Sequence, residues 1–335
     1  MVKVTQRQNW WLRQGSPKKP RYISSTGRRI TSAETLDRID AMRIPPAWTD
    51  VHISPDTKRK IQAWGIDSKG RKQYIYSSAH VETRDRRKFG KVLQVAEVLP
   101  LLRGATNVHL KRRGLDADKV HATVVRLICR AYFRAGSERY AESNKTFGVT
   151  TLRKQHVTVL GNNLIFSYRG KRSKDQRQVV ADTPLVQIIE ELLELPGERL
   201  FQYENGDGGT RPVTASSVNR YLKNILGARY TSKDLRTLGA TVRAATILAD
   251  IGPAKTKMEA KRNVVLTCKL VAMELGNTPA IARKAYIHPA VLEEYERAGR
   301  TMTNIRKSRQ KVEAEEPLAY YPEEASLMRF LQRYG

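Results

Sequence analysis

A chain of 335 residues is long enough for two domains, each with a core of its own. Its 61 Lys and Arg stand against 33 Asp and Glu, a formal net charge of +28, and so self-repelling an excess points to a polyanionic partner, nucleic acid ahead of an anionic membrane. Membrane attachment is not expected: there is no apolar run near the roughly 18 residues of a spanning helix, no signal-type stretch after Met1-Val2-Lys3 and no lipidation motif, so the chain is expected in the cytoplasm, on the nucleoid.

Residues 1–20 hold Lys3, Arg7, Arg13, Lys18 and Lys19 with Trp10 and Trp11 between them and no acid, which reads as a loosely ordered basic arm tracking phosphates. Tyr22-Ile23 and Arg29-Ile30 flank Ser25-Thr26-Gly27 as a short hairpin. Thr31 and Glu34 have the spacing of a capping box for a helix through Leu36, Ile39 and Met42, which Pro45-Pro46 stops. Residues 61–66 and 72–76 read as two short strands around Asp67-Ser68-Lys69-Gly70. The second, Gly70-Arg71-Lys72-Gln73-Tyr74-Ile75-Tyr76, interleaves cations with aromatic and amide groups. Such a strand suits a DNA major groove, with Gln73 at a base edge and Tyr74 and Tyr76 near the backbone; an exposed basic edge strand that discourages aggregation fits the same residues. Residues 77–83 are poor in apolar side chains and mark a boundary, giving domains 1–78 and 79–335.

The second domain opens with a helix to Leu102, basic at Arg84, Arg86, Arg87 and Lys88, ended by Arg103-Gly104. From Asp118 a helix carries Val120, Val124, Leu127, Ile128 and Ala131 as a buried stripe, leading to Arg134-Ala135-Gly136 and Tyr140. Three alternating strands follow, around Val157 and Val159, at 164–168 and at 178–181. The tip between the last two presents Lys171, as a group for delivery into a groove or as a solvated turn. Helices are expected at 184–195, at 215–226 behind Thr214, from Thr231-Ser232 with Lys233 and Arg236, and from Pro253 to Leu275. Beyond Arg300 the charge is mixed, with a last helix at 327–331. Glu204-Asn205-Gly206-Asp207-Gly208-Gly209 lacks EF-hand spacing and reads as a surface loop.

The chemistry concentrates at residues 276–289. Gly276 suits a helix end, Thr278 a cap and Pro279 a first turn, and the next helix brings Tyr286 among Arg283, Lys284 and His288, with Asn277 one helix length upstream. A phenol of pKa near 10 becomes a phosphoryl-transfer nucleophile when cations favour the phenolate; a tyrosine near a helix end also serves as packing with a wet hydroxyl. His52, His80, His109, His121, His156 and His288 lack zinc spacing, so no metal is expected. Cys129 and Cys268 read as buried reduced thiols, and no phosphate-binding glycine loop offers a seat for ATP.

In this order Arg134, Lys171, Arg236, Asn277 and Tyr286 resemble the type IB DNA topoisomerases, and the chain looks like the small poxvirus-type and bacterial enzymes of that family. The matching words are Arg134-Ala135-Gly136 with Tyr140, Phe147-Gly148-Val149-Thr150-Thr151-Leu152 before His156, Gly170-Lys171, Lys233-Asp234-Leu235-Arg236-Thr237, Thr278-Pro279 with Ala285-Tyr286, and Gly70-Arg71-Lys72-Gln73-Tyr74 in the first domain. They cover about residues 20–300. The resemblance implies an α+β fold, a small sheet-bearing domain joined to a mostly helical catalytic domain with a three-stranded sheet. It implies a monomer that clamps double-stranded DNA and relaxes supercoils without ATP, metal or any other cofactor. Tyr286 would be the nucleophile of a 3′-phosphotyrosine, Arg134 and Arg236 the phosphate forks, Asn277 a neutral donor where poxvirus members have histidine, and Lys171 the general acid. Arg71, Gln73, Tyr74, Tyr76, Tyr140 and Lys233 would contact DNA. Two alternatives share features. A tyrosine recombinase has a similar residue set, but it usually has histidine where Lys233 stands and a helical first domain. An architectural DNA-binding protein would satisfy the charge alone.

Overall fold

The computed structural model describes residues 9–16, 19–227, 229–302 and 320–335. The chain divides into two compact units, residues 1–87 and 88–335, and the division falls inside one helix, α2 (Ser78–Glu97), whose first residue is the sequence-expected boundary.

The first unit is a five-stranded antiparallel sheet. Its strands β1 (Trp11–Ser16), β2 (Lys19–Ile23), β3 (Thr49–Ile53), β4 (Ile61–Ile66) and β5 (Lys72–Tyr76) lie in the order β2-β1-β3-β4-β5. One helix, α1 (Ala33–Ala41), completes the unit. Strand alternation sends Val51 and Ile53 to one face, where they meet Ile39 of α1, Ala63 and Tyr22 in a small core. The basic arm is corrected by this sheet: Leu12 pairs with Ile23 and Trp11 with Ile53, so residues 11–16 and 19–23 form a hairpin. The cation meant for phosphate has an internal use, because the Arg13 guanidinium donates to the carbonyls of Pro45 (3.2 Å), Pro46 (3.3 Å) and Trp48. Lys3, Arg7 and Lys18 lie outside the described residues. The expected short hairpin around Ser25 is present, with Ile23 bridging Arg29, Ile30 N–H donating to the Tyr22 carbonyl at 2.9 Å and Ser24 N–H to the Arg28 carbonyl at 2.8 Å, whereas Ser32 rather than Thr31 stands at the N-terminus of α1, without a side-chain cap.

In the second unit α2 does not continue to Leu102. It ends at Glu97, and α3 (Leu99–Leu110) has Pro100 in its first turn, where the ring and missing N–H fit as they would not in a helix interior; Gly104 then lies mid-helix. The central α4 (Ala117–Ala131) is capped by Asp116, which accepts the Lys119 N–H, and buries Val120, Val124, Leu127 and Ile128 completely. A short α5 (Glu138–Asn144) follows. Strands β6 (Val157–Leu160), β7 (Asn163–Arg169) and β8 (Asp175–Ala181) form the expected antiparallel sheet, with Phe166 opposite both Val157 and Gln178. Next come α6 (Thr183–Glu194), a two-stranded hairpin of β9 (Gln202–Glu204) and β10 (Thr210–Pro212), and α7 (Ala215–Leu226), capped by Thr214 as expected. The helical remainder is α8 (Ser232–Ile251), α9 (Lys257–Leu275), α10 (Pro279–Ala285), α11 (Pro289–Ala298) and α12 (Pro322–Tyr334). These helices and the three-stranded sheet share one apolar core. Cys268 is buried in it, but Cys129 is exposed, because it opens onto a cavity between α3, α4 and α8. Among the described residues no single helix is long and apolar enough to cross a membrane.

Candidate active site

Four segments of the second unit converge on one cleft. The first leaves α4 through Tyr132, whose left-handed backbone (φ 55°) ends the helix and turns the chain so that Phe133 is buried and Arg134, half-buried, lines the cleft. Its path is fixed by the Gly148 word: Val149 N–H and Thr150 N–H donate to the carbonyls of Arg134 and Ala135, both at 2.8 Å. A β-carbon on Gly148 would stand 2.7 Å from the Arg134 carbonyl oxygen, so only glycine allows this approach.

The second segment is α8, which places Arg236 one turn from its start, the residue only 3% exposed. The third is the turn between α9 and α10. Gly276 is left-handed (φ 63°) and Asn277 N–H returns to the Ala272 carbonyl at 2.8 Å, which closes the helix and exposes the carbonyls of Leu275 and Gly276 to the cleft. Those carbonyls hold the two arginines. Arg134 Nη2 donates to Leu275 O (3.4 Å), Gly276 O (3.3 Å) and Asn277 Oδ1, while Arg236 Nη2 donates to Leu275 O (3.3 Å). Thr278 then caps α10 by accepting Ile281 N–H, and α10 delivers Tyr286. Tyr286 is tied to α8 as well: buried Thr241 donates to its carbonyl at 3.2 Å and accepts the His288 N–H at 3.1 Å. Thr241 carried no signal in the sequence, since nothing marks a mid-helix threonine as a partner of a residue 45 positions on.

The fourth segment is the β7–β8 hairpin, whose tip carries Lys171, Arg172 and Lys174. With Arg134, Lys233, Asn277 and Tyr286 these line a cleft of about 150 Å³, and Arg236 lies behind it. None of the six cations has an ion-pair partner among the described residues. Two buried donors, Arg236 Nη1 and Asn277 Nδ2, have no hydrogen-bond partner among the described residues. Buried donors without partners beside unpaired cations have the chemistry that suits an anion.

The phenol responds to this field. Burial pushes the Tyr286 hydroxyl up, but the charges of Arg236, Arg134 and Lys233 beside it outweigh it, so its pKa lies below the ordinary value near 10. The Arg236 guanidinium stands 5.5 Å from the Tyr286 ring centroid. Burial lowers Arg236 itself to about 10, with Tyr286 opposing, and leaves it a cation at neutral pH. His288 is no part of the cationic field: burial lowers it to about 4, and its Nδ1 accepts the Ala290 N–H as the cap of α11. Arg283 is likewise engaged, with Glu296 at 3.2 Å.

The remaining sequence-predicted residues lie elsewhere. Tyr140 is exposed on α5. Arg71, Gln73, Tyr74 and Tyr76 lie on or beside β5 in the first unit, where Arg71 Nε (2.8 Å) and Gln73 Nε2 (2.9 Å) both donate to Asp67 Oδ2. Tyr74 and Tyr76 stack at 6.1 Å between centroids, and Lys72 Nζ sits 3.5 Å from the Trp64 ring centroid. A larger cavity of about 300 Å³, between α3, α4, α8 and α12, contains none of the predicted residues. Among the described residues there is no group of three or more metal-ligating side chains.

Two protein families match the chain: Eukaryotic DNA topoisomerase I, catalytic core, over residues 72–315, and Bacterial DNA topoisomerase IB, N-terminal domain, over residues 20–67. The chain is 30% identical over 282 residues to the DNA topoisomerase 1B of Acanthamoeba polyphaga mimivirus, an alignment spanning 82% of this chain and 84% of the viral protein. With the DNA topoisomerase 1B of Vaccinia virus (strain Copenhagen) it shares 26% identity over 265 residues, 75% of this chain and 79% of the relative.

Proposed function

Since the chain belongs to the type IB DNA topoisomerases, we propose that it relaxes supercoiled duplex DNA by breaking and rejoining one strand through Tyr286. The observation that carries this reading is the set of unpaired cations and orphaned donors around a buried phenol of lowered pKa.

In the forward step Tyr286 Oη bonds to phosphorus, and the phosphorus–O5′ bond breaks with its electron pair going to O5′. The phenol proton leaves to solvent, and the Lys171 ammonium gives O5′ the proton that so basic a leaving group requires. The product is a 3′-phosphotyrosine and a free 5′-hydroxyl strand, which rotates before the reverse step rejoins it. Bond energy is conserved, so ATP has no role. The planar forks of Arg134 and Arg236, with Asn277 Nδ2, bind the non-bridging oxygens as their charge grows, a task that a metal would only duplicate. Lys233 adds positive charge at the same phosphate. A monomer gripping the duplex with both units, through Arg71, Gln73, Tyr74 and Tyr76 in one and Tyr140 in the other, would contact mainly backbone, and its binding should weaken steeply with salt.

The test is relaxation of a supercoiled plasmid in excess chelator without ATP, by the parent and by Tyr286→Phe. The reading expects relaxation by the parent alone. A requirement for added metal or nucleotide would overturn the reaction, and relaxation by Tyr286→Phe would overturn the nucleophile.

A further inference from the structure

Lys171 sits on an exposed hairpin tip, yet a general acid must be held within hydrogen-bond reach of one oxygen. The tip is closed by the Gly170 N–H, which donates to the Lys174 carbonyl at 2.8 Å, and Arg172 (φ 64°) and Ser173 (φ 55°) are both left-handed. This fixes the internal shape of the tip but not where the tip lies over the cleft. One side chain does that.

Gln176 of β8 stands opposite Tyr168 and is folded back on its own strand: Nε2 donates to the Asp175 carbonyl at 2.9 Å. So held, it lies across two glycines from different segments. A β-carbon on Gly170, the residue before Lys171, would stand 2.7 Å from Gln176 Cγ. A β-carbon on Gly276, the residue before Asn277, would overlap Gln176 Oε1 and stand 2.7 Å from its Cδ. The same side chain therefore touches the backbone next to the acid and the backbone next to the neutral donor. The turn it touches is also where both arginines are anchored, through the carbonyls of Leu275 and Gly276.

We infer that Gln176 is a positioning residue, which seats the Lys171 hairpin on the Gly276 turn so that the acid is held in register with the two arginines and Asn277. It touches no reacting atom; its effect passes through Lys171. The inference rests on the reading of Lys171 as the general acid, and the test separates the two claims.

Single-turnover strand cleavage would be measured on two duplexes, one ordinary and one with sulfur in place of the bridging O5′ at the scissile position. A thiolate leaves without a proton, since a thiol pKa is about 8.5, so a defect confined to proton donation vanishes on the sulfur substrate. Gln176→Ala should cleave the ordinary duplex about 10- to 100-fold more slowly, the order expected from misplacing a reacting group by about 1 Å, and the sulfur duplex at close to the parent rate. Lys171→Ala should show the same pattern more strongly, and adding Gln176→Ala to it should cause little further loss. Gln176→Met, which keeps the length and bulk across the glycines, should recover much of the rate.

If Lys171→Ala is equally slow on both duplexes, the general-acid reading fails and this inference with it. If Lys171→Ala is rescued by sulfur while Gln176→Ala is slow on both, Gln176 serves the whole site or the fold, and the inference alone is overturned. A Gln176→Ala protein as fast as the parent on the ordinary duplex also overturns it.

Discussion

Two cavities of the second unit, the larger described above and the cleft at Tyr286, are both lined by arginines and differ in what those arginines face. In the larger one, between α3, α4, α8 and α12, Arg103 pairs with Glu324 and Arg126 with Asp182 at 2.7 Å, while Arg130 lies 3.7 Å from the same Asp182. In and behind the smaller one Arg134, Arg236, Lys171 and Lys233 have no carboxylate partner among the described residues, and Arg236 Nη1 and Asn277 Nδ2 are buried without a hydrogen-bond partner among them. The larger cavity is neutralised from within and is a structural joint. In the smaller one no described residue neutralises the charge, and in the proposed reaction a phosphodiester would do so. Charge balance, not volume, separates the two.

The largest expected break in this comparison comes from exchanging effects between the cavities. Arg236→Ala should slow single-turnover cleavage by about 100- to 1000-fold with little change in unfolding midpoint. Arg236→Lys should not restore the rate, since a point charge lacks the bidentate fork. Arg126→Ala should do the reverse. It strips a partner from Asp182, whose side chain is 1% exposed, and should lower stability in urea by about 3 kcal/mol, the low end for a broken buried pair because Arg130 remains nearby, while leaving the cleavage rate of the folded protein unchanged. If the two variants fail in the same way, the distinction between cavities is wrong.

His288 sharpens the account of which basic groups belong to the cleft. Its folded pKa of about 4 lies below the unfolded value near 6.5, so the unfolded chain binds the proton first as pH falls. Stability should be full above about 6.5 and should drop by about 3 kcal/mol as pH falls from there to about 4. Denaturation curves across that window should flatten in His288→Asn, which keeps an acceptor for the cap. An unchanged slope in that variant would mean that His288 is not the group involved. The smallest effect concerns Lys233, the weakest of the cations that lower Tyr286. With the phenolate as the reacting form, the rate of cleavage should rise with pH to an inflection below 10, and Lys233→Ala should move that inflection upward while leaving the plateau. A downward shift would contradict the sign of the field.

What was legible in the sequence divides along the same physical line. The words around Arg134, Lys171, Arg236, Asn277 and Tyr286 are local: a helix end at Tyr132, a capped helix at Thr231, a left-handed Gly276 and a capped start at Thr278 each follow from a few neighbouring residues. The sheet in residues 22–76, which set the first unit apart from the helical first domain of a recombinase, was readable from the two short runs of β4 and β5 on either side of the Asp67-Ser68-Lys69-Gly70 turn. The β1–β2 hairpin was not, because it is held by Arg13 reaching carbonyls more than 30 residues away, and its own residues look like a solvated arm. Thr241 and Gln176 were missed for the same reason: each matters through a residue distant in sequence, and only the fold brings the partners together. The break at Val98 was legible in principle, since Pro100 marks a first turn.

The central claim is that the unneutralised cleft makes and breaks a phosphotyrosine. The most direct measurement is to denature the protein during reaction with a duplex labelled separately on each side of the scissile phosphate, then to map the covalent adduct by mass spectrometry. The account predicts an adduct on the strand ending in the 3′-phosphate, attached to Tyr286, absent in Tyr286→Phe and undiminished in Arg126→Ala. An adduct on the 5′ side, an attachment to any other residue, or an adduct that survives in Tyr286→Phe would contradict it.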